Sequence, residues 1–98
     1  MLLAARLGTT QAVAYTGTAA PSSAFGSQCY QIRVVANSSC HIAIGPTGTA
    51  ATTSSPYLPA HAIDYLTVNP GEIISAIRAA TAGLDTATSG TLWVSELS

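Results

Sequence analysis

Lysine is absent from this chain, and charge of any kind is scarce. Charged residues make up 7% of the 98 positions, against roughly 25% in an ordinary soluble domain. The bases are Arg6, Arg33 and Arg78, and the acids are Asp64, Glu72, Asp85 and Glu96. With a net charge of −1 there is no basic surface for nucleic acid and no basic amphipathic stretch for a membrane surface. No apolar run approaches the roughly 20 residues of a membrane-spanning helix. The opening MLLAARLG lacks a basic region ahead of its short apolar run, so it reads as a strand or arm rather than a secretion signal, and synthesis in a reducing cytosol is expected. A free monomer keeps itself soluble with mixed surface charge. A chain that does without it is expected to hide surface in an assembly.

The residues that carry chemistry are also few. The soft metal ligands are Cys29, Cys40, His41 and His61. Zinc sites in small domains pair ligands at short spacing, whereas Cys40 and His41 are adjacent and would point to opposite faces of a strand. No metal site and no cofactor is expected. His61 and Asp64 are close in sequence and serine is plentiful, but no G-x-S-x-G elbow occurs. The four acids are scattered, so paired-carboxylate chemistry lacks its pair. GPTGTAAT and ATAGLDTATSG are glycine-containing but precede no helix and hold no phosphate-loop lysine. No catalytic residue is assigned, and the protein is not expected to be an enzyme. Six aromatics, Tyr15, Phe25, Tyr30, Tyr57, Tyr65 and Trp93, have a small core to fill, so most are expected to be buried. Trp93, between Leu92 and Val94, is expected in the core or an interface.

What is abundant is period-two alternation punctuated by turns. Strands are expected at 10–16, 29–36, 40–45, 62–68, 72–79 and 91–97, with a short edge piece at 57–59, where Pro59 cannot donate to a ladder. Residues 46–56 and 81–90 read as loops, the first as the most mobile segment. Two hairpins are expected: 29–36 with 40–45 about Asn37-Ser38-Ser39, and 62–68 with 72–79 about Asn69-Pro70-Gly71, where proline presets φ and glycine accepts a positive φ. In the first, Cys40 would face Ala36 and leave Cys29 roughly 23 Å along its strand. That is too far for a disulfide, so both cysteines are expected as free thiols in the core. The ensemble of about six to eight short strands suggests an antiparallel sandwich or small barrel, and the reading taken is one all-β domain over 10–98, an antiparallel β-sandwich of jelly-roll-like build. Residues 1–9 are expected as an N-terminal arm used in assembly.

The stretches AVAYTGTAAPSSAFGSQCYQIRVVANSSCHIAIG, YLPAHAIDYLTVNPGEIISAI and GTLWVSEL together cover most of the chain. Their layout resembles the small β-sandwich capsid cement, or decoration, proteins of tailed phages and prophages. LDTATS before Gly90 is longer than that resemblance leads one to expect. The resemblance implies a structural virion protein, made in the host cytoplasm and located on the capsid surface. It implies the major capsid protein as partner and a homo-oligomer, dimer or trimer. It transfers no site residue, because such proteins act through contact surfaces. Two rivals share part of the pattern: another virion subunit of tail, fibre or head fibre, and a carbohydrate-binding module, which would need exposed rings on one face.

Overall fold

The computed structural model describes residues 7–79 and 89–97, and within them every regular element is a strand. The strands are β1 (Leu7–Tyr15), β2 (Ala20–Pro21), β3 (Gln31–Ala36), β4 (Cys40–Gly45), β5 (Tyr57–Leu58), β6 (Ile63–Thr67), β7 (Ile73–Arg78) and β8 (Gly90–Leu97). They form two four-stranded sheets, A in the order β1-β8-β3-β6 and B in the order β2-β7-β4-β5. All pairings are antiparallel. The first strand pairs with the eighth, the second with the seventh, the third with the sixth and the fourth with the fifth. That is one long folded-back ribbon rolled into a sandwich, the jelly-roll arrangement.

Alternation decides which face of each strand turns inward. In sheet A, Val13 and Tyr15, Ile32, Val34 and Ala36, and Leu92 and Val94 are buried. In sheet B, Cys40, Ile42, Ile74 and Ala76 meet them, and Phe25, Leu58 and Val68 close the same cluster. Full burial of a large apolar side chain contributes about 1.5–3 kcal/mol, and this single layer between the sheets is the core.

The strands fall close to their expected places, but their partners do not. β3 pairs with β6 and β8, and β4 pairs with β5 and β7, so 29–36 and 40–45 form no hairpin. Likewise β6 lies in sheet A and β7 in sheet B. Both short connections are corners that carry the chain across the roughly 10 Å between packed sheets. The physical reason lies in the inward faces. Ile32 and Val34 of sheet A and Ile42 of sheet B share one core cluster from opposite sheets.

The Asn69-Pro70-Gly71 turn is present nonetheless. Glu72 N donates to Asn69 O at 3.1 Å, and Gly71 has φ +83°. It serves as a corner. Two further differences concern the ends of elements. β1 begins at Leu7, so residues 7–9 of the expected arm belong to a strand, with a register shift between Leu7 and Thr10. Met1 to Arg6, and most of the 81–90 loop, lie outside the described residues. β2 was not legible, because a two-residue strand has no alternation to read.

The loop 46–56, expected to be the mobile one, is tied down. Ala51 is buried, and its N–H donates to Ser75 Oγ at 3.0 Å. His41 Nδ1 lies 2.8 Å from Ser55 O. The loop therefore covers part of the outer face of sheet B. On the outer face of sheet A, Trp93, Ile63 and Tyr65 stay exposed, while Ser95 and Leu97 are buried.

Candidate interaction surface

The outer face of sheet A follows directly from register. Ala12 pairs with Trp93, Trp93 with Val35, and Val35 with Ile63, making one row across four strands. The next row is Thr10, Ser95, Arg33 and Tyr65. These residues alternate along their strands with those of the core cluster, so their side chains point away from it, although Ser95 is only 4% exposed. Trp93, Ile63 and Tyr65 are 40%, 53% and 59% exposed. With Val35 they make an apolar patch on the order of 300 Å², the low end of the size of the largest patch on a typical monomer, which is often functional. Arg33 is the one charge in these two rows, and Thr10 and Ser95 join their hydroxyls at 3.0 Å.

The expectation of buried aromatics is thus corrected. Tyr15 and Phe25 are in the core, whereas Tyr30, Tyr57, Tyr65 and Trp93 are exposed. Trp93 is not a core residue. Leu92 and Val94 take the inward positions of β8, and strict alternation then forces Trp93 outward. The alternation was visible in the sequence, and reading β8 by period rather than by the apolarity of its residues would have found the patch.

The chemistry-bearing residues are dispersed into structural roles. Among the described residues no three of His, Cys, Asp and Glu gather as metal ligands. Cys29 and Cys40 are buried and neither is in a disulfide. The hairpin geometry that implied their separation does not exist. Burial pushes the Cys40 thiol up to about 11. Burial also raises Cys29, and the nearby Glu96 carboxylate raises it further. Both thiols stay protonated at neutral pH, which makes them poor nucleophiles.

His41 stacks edge-on against Tyr57, with ring centroids 5.5 Å apart. His61 is exposed in a left-handed turn at φ +63°, and its N–H donates to Ala36 O at 2.7 Å. Asp64 Oδ1 accepts the N–H of Tyr65 at 2.9 Å. Glu72 Oε1 accepts the N–H of Asn69 at 2.8 Å, closing the corner. Glu96 lies 3.4 Å from Gly26 N through each oxygen. Asp85 lies outside the described residues. Each described carboxylate caps backbone.

Two shallow clefts lie among the described residues. One, of about 280 Å³, lies between β2 and the loop 46–56 over Ile73 and Ser75. The other, of about 290 Å³, lies beside Cys29, Glu96 and Gly26. Neither converges several polar side chains on one point, as a small-molecule site would. The outer face of sheet A is the stronger candidate. No protein-family model, no curated protein and no solved structure matches this chain.

Proposed function

We propose that this protein is a capsid cement protein, which lies on the outside of a phage head and bridges neighbouring capsomers through the outer face of sheet A. The observation that carries the reading is the Ala12–Trp93–Val35–Ile63 row with Tyr65 beside it, an apolar face with one charge. A face of this kind fits another protein surface better than it fits water. The low charge of the whole chain and the resemblance of its strand phrases to decoration proteins support the same reading. The jelly roll is compatible with it, since the fold recurs in viral capsid domains, but a fold alone carries no function.

The mechanism is thermodynamic. A subunit that binds the assembled shell and not its separated parts stabilises the shell by mass action. Many copies around one head add their effects through avidity. The partner is the major capsid protein, and no catalysis is involved. The test is copy number in purified particles. Hundreds of copies per head fit cement, whereas a few copies would make it a tail or fibre subunit.

One observation favours a second reading, a carbohydrate-binding module. Trp93 and Tyr65 are exposed rings on one face, the arrangement such a module uses. Quenching of Trp93 fluorescence by oligosaccharides, with no binding to heads, would select it.

A further inference from the structure

The sandwich has four edge strands, and three of them are guarded against pairing. β2 has two residues, one of them Pro21. The segment that follows it is capped by Gln11, whose side-chain amide donates to Ser23 O at 3.3 Å and accepts from Ser23 N at 2.7 Å. β5 also has two residues, with Pro56 and Pro59 on either side. β6 carries Asp64, which occupies the outward N–H of Tyr65.

β1 has none of these devices over its second half. The register shift leaves Thr10–Tyr15 as a regular stretch without charge or proline. Which of its backbone groups are free follows from the neighbouring strand. Thr91 N donates to Asn37 Oδ1 and Thr91 O accepts from Asn37 N, so Thr91 turns its backbone toward the β3 side. Its partner on the other side, Ala14, therefore turns N–H and C=O away from β8. By alternation Ala12 and Thr10 do the same. Their side chains are exposed and small.

We infer that β1 pairs with β1 of a second copy, antiparallel about a two-fold axis at Ala12, joining two copies of sheet A into one eight-stranded sheet. In this register Ala12 faces Ala12, and Thr10 faces Ala14 in both directions. Each of these pairs exchanges two bonds, about six in all. Centring the axis on Val13 instead would bring in Thr16, whose C=O is already taken by Arg78 N. A second copy is the occupant the edge fits, because an uncharged strand meets itself without repulsion. The dimer does not depend on the capsid reading and is tested without any head.

The experiment is sedimentation equilibrium of the full chain at high micromolar concentration. The expected mass is twice 9.9 kDa. Ala12→Glu and Ala12→Lys each place like charges on the axis and are expected to be monomers, while an equimolar mixture of the two recovers the dimer. Ala12→Pro adds no charge and removes a donor that faces off the sheet, where proline is tolerated, and is expected to be monomeric as well. Circular dichroism checks that each variant is folded. A wild-type chain that stays at 9.9 kDa overturns the inference. So does a dimer or larger oligomer that all three variants leave intact, or a mixture of the charge variants that stays monomeric.

Discussion

Gly90 opens β8 at the point where Tyr15 is buried, and replacing it with alanine is the most severe small change the fold offers. A Cβ there would fall against Ser38 Oγ and against Tyr15 Oη. Neither atom can easily yield. Tyr15 is fully buried, its hydroxyl donates to Ser38 O at 2.7 Å, and Ser38 Oγ lies 2.7 Å from the same hydroxyl. Ser38 Oγ also lies 3.2 Å from Ser89 O. Forcing a methyl into such a site costs about 1–3 kcal/mol in overpacking. Leaving the buried Tyr15 hydroxyl without its partner costs about 1–3 kcal/mol more. Alanine recovers up to about 1 kcal/mol through the unfolded chain, so the net loss is about 1–6 kcal/mol, out of the roughly 5–15 that a domain of this size holds. At about 4–8 °C per kcal/mol, the melting temperature should fall by at least about 4 °C.

Urea denaturation followed by far-ultraviolet circular dichroism measures the loss. Gly8→Ala is the control, since its Cβ would meet only ordinary contacts beginning at 3.4 Å. The cost of Gly90→Ala should shrink by at least about 1 kcal/mol in a Tyr15→Phe background, because the bond it breaks is already gone. Gly90→Ala within about 0.5 kcal/mol of wild type, the range of an ordinary surface change, would refute the packing described at this end of the sandwich.

Other expectations follow from the same contacts. Gly71→Val should cost about 1–3 kcal/mol, the price of a left-handed backbone for a branched residue, although its side chain would enter open space at φ +83°. An unchanged urea midpoint would contradict the corner. Gln11→Leu should lose about 1–2 kcal/mol with the amide pair to Ser23, and an unaltered stability would mean the two sheets are not tied there. Stability should also fall as pH rises from about 9 to about 11. Cys40 titrates at 9.0 when unfolded but is held up to about 11 by burial. Between those values the unfolded chain releases a proton that the folded chain keeps, and stability drops with pH wherever the folded state binds more protons. The fall should be shallower in Cys40→Ala, and equal slopes for the two proteins would argue against a buried thiol.

Period-two alternation made most of this fold readable. β3, β4, β6, β7 and β8 fall within about two residues of where apolar spacing and turn residues put them, as strand signals normally allow. Pairing was not readable, because the same signals serve a hairpin and a corner between sheets. Asn69-Pro70-Gly71 has the geometry of a tight turn in either case. The candidate surface was half legible. Ile63 and Tyr65 stand on one face of β6 by simple alternation, and so does Trp93 on β8. What hid them was composition, since large apolar residues are buried more often than not. Their juxtaposition depends on β3 lying between β8 and β6, a long-range arrangement that no local pattern encodes. The same holds for Ala51, whose burial depends on a loop folding back over sheet B.

The central claim is that the outer face of sheet A seats the protein on a capsid. It is tested most directly by adding purified protein to heads that lack it and counting bound copies by quantitative mass spectrometry. Wild type is compared with a Trp93→Ser, Ile63→Ser double variant. Both residues are exposed, so each substitution should cost no more than about 1 kcal/mol of fold stability, and the variant should remain folded. The account predicts hundreds of wild-type copies per head, heads that then resist heating and osmotic shock, and near-complete loss of binding in the variant. Heads that bind no wild-type protein, or that bind the variant equally well, would contradict it.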